Sequence, residues 1–292
     1  MCVDLHTHSI YSDGTATPEE LVLQAAQLNL RGLAITDHDT MEGYGEALEA
    51  GNRAELRIVA GLEISCLHGP LSLHMLGYGV DPKNVTLNQK LKQLQDGREK
   101  RNRRILEKLA DLGIKISPGE LQENSQCGQT GRPHIARLLV AKRIVPGMDQ
   151  AFRRYLGKGK PAYVERFCFK AAEAIDFIHG AGGVAVLAHP GILSQDMRLQ
   201  ARLIHELVER KLDGLEVFHP AHSKKIQKKL LQLARQYTLI TTGGSDYHGG
   251  NHGDKGLAGD KRNICPPDSI MDDLLQCIET IRKNGSPEKN SP

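Results

Sequence analysis

The sequence predicts an α/β fold, a barrel or a related layered sheet, interrupted by a helical insertion. Three observations carry that expectation. Short apolar strands alternate with amphipathic helices over the first 80 residues, and the rhythm resumes at Phe169. Polar residues able to bind metal stand on or just after the strands, and α/β barrels gather their ligands at the carboxyl ends of strands. Between them, Asp81-Pro82 breaks the rhythm, and no convincing strand occurs over residues 83–160.

Residues 1–5 form a short apolar strand whose alternation continues through His8, so His6 and His8 share a face. Thr17-Pro18-Glu19-Glu20 is a capping box with proline at the first helical position. The helix it opens aligns Leu21, Val22, Ala25, Ala26 and Leu28, and Arg31-Gly32 closes it. A buried strand at 33–36 ends in Asp37-His38-Asp39; a helix at 41–50 leads to a strand at 57–62, ending at Glu63. A further strand, 71–78, carries His74 in its middle.

The insertion, residues 83–159, reads as a polar helix at 86–113, a capping box at Ser117-Pro118-Gly119-Glu120, and short helices at 132–142 and 149–156. Between Lys83 and Lys108 it holds nine Lys or Arg against three acids, which suits either a solvated face or a basic lid. After Phe169 come a helix at 171–180, a strand at 184–188 ending in His189-Pro190-Gly191, and a helix at 198–211. A strand at 214–218, a lysine-rich helix at 223–237 and a strand at 239–242 follow, the last ending in Gly243-Gly244-Ser245-Asp246-Tyr247-His248-Gly249. A helix at 270–283 precedes a Gly-Ser-Pro tail expected to be disordered. The count is about seven strands with no internal repeat. Residues 1–82 and 160–292 thus form the barrel.

Composition narrows the function classes. With no Trp, five Phe and seven Tyr, a base-stacking surface for single strands is disfavoured. The net charge of +3 says little about partners. Six cysteines without C-x-x-C spacing argue against a zinc cluster or a dithiol redox site, and predict reduced, mostly buried thiols. No signal peptide opens the chain and no apolar run approaches the ~20 residues that cross a bilayer. A cytoplasmic protein with no membrane contact and no obligate protein partner is expected.

In chain order the ligand-type residues are His6, His8, Asp13, His38, Glu63, His74, His189, Asp246 and His248. Each alone has a dull explanation, Asp13 as a turn cap or His74 as a core histidine. Imidazole with carboxylate suits zinc, manganese or iron rather than calcium. With about four ligands per ion and one shared carboxylate, the set would hold two or three divalent ions.

The motifs H-T-H-S…S-D-G, L-A-I-T-D-H-D-T, G-L-E-I-S, H-M-L-G-Y, A-H-P-G and G-S-D-Y-H resemble those of the PHP (polymerase and histidinol phosphatase) family. The resemblance covers nearly the whole chain and is nearest to stand-alone phosphoesterases acting on nucleotides and RNA 5′ ends. Within the insertion, Gly131-Arg132-Pro133-His134-Ile135-Ala136 and Gly159-Lys160-Pro161-Ala162-Tyr163-Val164 are similar to that branch too. The resemblance implies a distorted (β/α)7 barrel with three metal sites. His6, His8, Glu63 and Asp246 would hold the first ion. Glu63, His74 and His189 would hold the second, and Asp13, His38 and His248 the third. Asp13 stands where many members have histidine, which favours manganese or iron there. Manganese is the preferred metal overall.

The chemistry implied is attack on phosphorus by a metal-activated hydroxide. Arg132, Lys158 and Lys160, with His134 nearby, are candidates to bind the phosphorylated substrate, and His222 is a candidate proton donor, with His219 or a metal-bound water as alternatives. The implied substrate is a nucleoside 3′,5′-bisphosphate, an AMP-like nucleotide or a short RNA 5′ end. Histidinol phosphate is an alternative. A metal-dependent amidohydrolase or deaminase also begins with H-x-H, but the T-D-H-D and terminal D-x-H fit phosphoester chemistry better.

Overall fold

A computed structural model describes residues 1–123, 129–193, 196–250, 256–260 and 264–285. Cys127 and the tail beyond Gly285 lie outside these residues. The strands are β1 (Asp4–Thr7), β2 (Gly32–Ile35), β3 (Arg57–His68), β4 (Leu71–Tyr78), β5 (Phe169–Lys170), β6 (Val184–Leu187), β7 (Gly214–Phe218) and β8 (Ile240–Gly243). Seven follow one path, β1-β2-β3-β4-β6-β7-β8, while the two-residue β5 pairs beside β3. So short a strand leaves no periodicity in the sequence, and β5 adds to the expected seven.

The path curls into a distorted barrel. Beyond β8, the amide of Asp246 donates to the His6 carbonyl (2.8 Å) and that of His8 to the Tyr247 carbonyl (2.9 Å), closing the sheet on β1. Closure needs Gly244, since a Cβ there would lie 2.3 Å from the His6 nitrogen. The distortion comes from β4, which runs antiparallel to both β3 and β6 while the other pairings are parallel.

That reversal corrects one expectation. The sequence ends the third strand at Leu62 and leaves Glu63 after it. Instead the strand runs on to His68 and folds back through Gly69 (φ +56°), so Glu63 sits within it, opposite Leu76. Because β4 enters from the site end, His74 reaches the site from the first half of its strand, paired with Ser65.

Core packing follows the amphipathic faces. Capping at Thr17 and Glu20 forms as expected, as does that at Ser117 and Glu120. The C-terminal helix Ser269–Gly285 buries Ile270, Met271, Leu274 and Ile278 with Leu5, Ala34, Val59, Leu76 and Val184, filling the barrel end away from the site. The helix Val85–Asp111 buries Leu87, Leu91 and Leu94 in the barrel's flank, then Ile105, Leu106 and Leu109 in a separate cluster with Ile135, Leu139 and Leu156. Each such fully buried side chain contributes roughly 1.5–3 kcal/mol, and the second cluster also takes in Ala162, beyond residue 159.

The cysteines depart from expectation. Cys2 and Cys265 form a disulfide, tying the start of β1 to the segment before the last helix, while Cys66 is buried and Cys168 and Cys277 are half-buried thiols. Spacing along the chain carries no signal for a pair 263 residues apart. Barrel closure brings the two ends together.

Candidate metal centre and substrate cleft

All nine ligand-type residues converge at one end of the barrel. Glu63 is central. Its Oε1 lies 2.8 Å from His74 Nδ1 and 3.1 Å from His189 Nε2. Its Oε2 lies 3.5 Å from His6 Nε2, 3.4 Å from His8 Nε2 and 2.9 Å from His38 Nδ1. Asp246 Oδ1 faces the same two rings, 3.3 Å from His6 and 3.2 Å from His8. Asp13 lies 3.3 Å from His248 and 3.9 Å from His38. His8, Asp13, His38 and His248 form one compact group; His6, Glu63 and His189 another; His6, His8 and Asp246 a third; and His38, Glu63 and His74 a fourth. His38 therefore stands between Glu63 and Asp13 rather than with Asp13 alone.

Most of these pairs are close without being aligned as hydrogen bonds. His6 Nε2, both His8 nitrogens, Asp13 Oδ1, His38 Nδ1, Glu63 Oε2 and His74 Nδ1 are buried without a hydrogen-bond partner. An unsatisfied buried polar group costs about 1–3 kcal/mol, so a cluster of them is hard to account for unless cations fill the gaps. Lone pairs from six imidazoles and three carboxylates fit divalent ions of the zinc–manganese–iron type. Burial and the neighbouring His248 push His8 down to about 3. Burial opposes charge on His248 as well, yet the Asp13 carboxylate holds it up at about 10.

Outer residues set the geometry. Buried Glu216, from β7, takes a hydrogen bond from His6 Nδ1 (2.9 Å) and from the His189 amide (2.7 Å). That fixes His6 with its Nε2 lone pair toward the cluster. Asp37 accepts from Ser9 N (2.7 Å), Ser9 Oγ (2.5 Å) and Ser12 Oγ (2.6 Å), pinning the loop that carries Asp13. Asp4 accepts from the Ser245 and Ala258 amides at 2.9 and 2.7 Å, seating the Asp246 loop. His189 (φ +30°), Asp246 (φ +54°) and Asp39 (φ +57°) hold positive φ without being glycine, three of the eight such residues among those described. Sequence reasoning singles out none of Glu216, Asp37 or Asp4. The available signal was an acid inside an apolar strand, as in Gly214-Leu215-Glu216-Val217-Phe218.

Beside His74 opens a cleft of about 150 Å³ whose charged lining is Arg101, Arg132, Lys158 and Arg166 against the single acid Glu165. Arg132 donates to the Leu156 carbonyl (3.2 Å) and lies over the rings of Phe152 and Tyr163. Burial, then the charges of Arg98, Arg166 and Arg132, push Arg101 well below the usual guanidinium range, and its buried Nε has no partner. Like charges gathered this closely suit an anion. Sequence reasoning misses Arg101 and Arg166, which are two arginines among many.

The other expected substrate groups fall elsewhere. Lys160 is exposed on the turn after Gly157, off the cleft wall. His134 is buried, and its Nδ1 accepts the Gly131 amide (3.1 Å), capping the helix Arg132–Ala141. His222 has both ring nitrogens engaged: Nε2 accepts from Gly191 N (3.0 Å), so Nδ1 carries the proton donated to the Val217 carbonyl (2.9 Å). His219 instead accepts the Ala221 amide at Nδ1, leaving a proton on Nε2, 3.4 Å from Asp246 Oδ2.

Fold and cluster together define a metal-dependent phosphoesterase. Residues 4–141 match the PHP domain family. A 3′,5′-nucleoside bisphosphate phosphatase of Chromobacterium violaceum is 36% identical over 268 residues, spanning 91% of this chain and 94% of that protein. The 5′-3′ exoribonuclease Rnm of Escherichia coli is 36% identical over 84% of each chain. A solved structure of a candidate metal-dependent phosphoesterase from Bifidobacterium adolescentis superposes with a TM-score of 0.85 at 32% identity, covering 94% of this chain and 96% of that one. The chain belongs to the PHP family, and it is a phosphoric ester hydrolase. No helix among the described residues is long and apolar enough to cross a membrane.

Proposed function

We propose that the chain hydrolyses phosphate esters of nucleotides, either a nucleoside 3′,5′-bisphosphate or an RNA 5′ end, in the cytoplasm. The observation that carries this is the adjacency of two features, an orphaned imidazole–carboxylate cluster and an arginine-lined cleft that share His74. The relatives that span most of the chain act, by name, on such substrates. His6, His8, Glu63 and Asp246 would hold one ion, Glu63, His74 and His189 a second, and Asp13, His38 and His248, with His8 alongside, a third. Manganese suits the mixed nitrogen and oxygen set. When bound, a pair of such ions supplies hydroxide near neutral pH and offsets charge on the phosphoryl oxygens.

The protein's own groups do the rest. Arg101, Arg132, Arg166 and Lys158 bind and orient a phosphate beside His74, fixing which ester faces the cluster. Glu216 keeps His6 in the ligating tautomer. His219 Nε2, 3.4 Å from Asp246 Oδ2, would give a proton to the leaving oxygen, in preference to His222, whose ring nitrogens are both engaged. Residues 83–159 act as the substrate selector, with barrel residues 1–82 and 160–292 carrying the chemistry.

Turnover of adenosine 3′,5′-bisphosphate, AMP, histidinol phosphate and a 5′-phosphorylated oligoribonucleotide, compared at equal concentration, tests the assignment. Preference for histidinol phosphate would overturn it. Arg132→Ala should lower kcat/KM on nucleotides about tenfold or more, while p-nitrophenyl phosphate, lacking a second phosphate to grip, loses little. Equal losses on both would move Arg132 into folding or chemistry. Asp13→Ala should remove about one ion per chain, counted by metal analysis, and slow turnover without abolishing it, since the Glu63 pair remains. An unchanged ion count with unchanged rate takes Asp13 out of the site.

A further inference from the structure

The helix Lys224–Gln236 has no role in the metal centre, yet it starts on the same rim. It follows β7 directly, five residues after His219 and two after His222, whose ring sits against Gly191 in the loop of His189. Its apolar face, Ile226, Leu230, Leu233 and Ala234, is buried in the core. The opposite face presents Lys224, Lys225 and Lys228, with Lys229 half-buried beside them.

Two features mark these lysines as more than a solvated face. Their stretch holds no acid at all between Glu216 and Asp246. Lys229 donates to the Gln232 amide oxygen (3.3 Å), and among the described residues no carboxylate pairs with any of the four. Secondly, Lys224 and Lys225 open the helix, the end where its dipole disfavours cations. The helices at Thr17 and Lys170 carry acids in that position. The placement works against helix stability and leaves cationic groups uncompensated at the mouth of a site for phosphate esters.

The cluster therefore has positive surfaces on two sides. Arg101, Arg132, Lys158 and Arg166 lie beside β4, and the lysines follow β7, with β6 between the two strands. A mononucleotide engages the first alone. A polynucleotide with its terminal phosphate in the arginine cleft and its first phosphodiester at the cluster must leave past the rim. Lys224 and Lys228, one helical turn and about 6 Å apart, can follow successive backbone phosphates. Resting on the nucleotide-hydrolase assignment above, we propose that Lys224, Lys225, Lys228 and Lys229 form the track for the downstream backbone of a single-stranded polynucleotide. Aromatic side chains are absent from this helix, so the track is sequence-blind and electrostatic.

The test uses the full chain loaded with Mn²⁺ and the quadruple variant Lys224→Gln/Lys225→Gln/Lys228→Gln/Lys229→Gln. Substrates are adenosine 3′,5′-bisphosphate and 5′-phosphorylated oligoadenylates, a dinucleotide and a decanucleotide. In the unaltered protein KM should fall with length. In the variant that length dependence should vanish, KM for the decanucleotide rising about tenfold. The slope of log KM against log salt should become shallower by about 0.7 for each phosphate that a lysine no longer neutralises. Bisphosphate turnover should stay within about twofold, which also shows that the variant folds. A KM independent of length in the unaltered protein, or a variant that keeps the length dependence, overturns the track while leaving the bisphosphate assignment standing. Failure of the unaltered protein on every nucleotide tested overturns both.

Discussion

Replacing Glu63 by glutamine is expected to abolish turnover, by about three orders of magnitude or more, and to strip metal from the protein. One carboxylate oxygen faces His74 and His189, the other His6, His8 and His38, all within 3.5 Å. Glutamine keeps the shape, but it removes the negative charge that lets two cations sit close together. Its amide also points N–H groups at imidazole nitrogens whose lone pairs should face metal. Removing a group on which several interactions depend at once costs far more than one contact. Metal analysis with p-nitrophenyl phosphate hydrolysis decides the matter. A variant that keeps both ions and half the rate would sink the dinuclear arrangement.

Arg98→Met should cost about 3–5 kcal/mol of stability, the usual result of stranding one partner of a buried ion pair. Arg98 is 7% exposed and Asp39 2%, and the two are joined by a short Nη2–Oδ2 contact. Asp39 is held on every side: Oδ1 accepts from Ser65 N (3.3 Å), its carbonyl from Gln95 Nε2 (3.0 Å) and Gln129 Nε2 (3.4 Å), and its amide donates to the Glu63 carbonyl (2.9 Å). Through Asp39, the insertion braces the residue next to His38. Burial alone would raise the Asp39 carboxyl, but Arg98 holds it below its ordinary value. The contribution is therefore complete above about pH 4 and is lost as pH falls through the lowered value. Urea unfolding of the metal-free protein measures it. An unchanged midpoint in Arg98→Met would show that the pair holds nothing.

The convergence of the nine ligand-type residues was legible in the sequence because each sits in a short motif beside a strand. The residues that orient them were not. Glu216 is one acid in an apolar strand, and nothing local says that it reaches His6 across the barrel. Arg98 is one of nine basic residues between Lys83 and Lys108, and only the turn of its helix over Asp39 separates it from its exposed neighbours. Period-two alternation locates a strand but carries no direction, so the reversal of β4, and with it the mid-strand seat of Glu63, was invisible. For His134 and His222, residue type suggested chemistry, while the hydrogen bonds commit both to the backbone.

The reversed strand also governs how the insertion is mounted. Because β4 runs the opposite way, Tyr78 leaves the chain at the closed end of the barrel, where Asp81 N bonds to Ala181 O and Asn84 to Gly180 O. To reach the mouth, the chain must climb the outside of the wall. The 27-residue helix Val85–Asp111 does so as one strut of about 40 Å, bolted low by Leu87 and Leu91 and high by Arg98. The strut is seated along Leu87, Leu91, Leu94 and Arg98, so lifting it from the wall would expose those buried side chains to water.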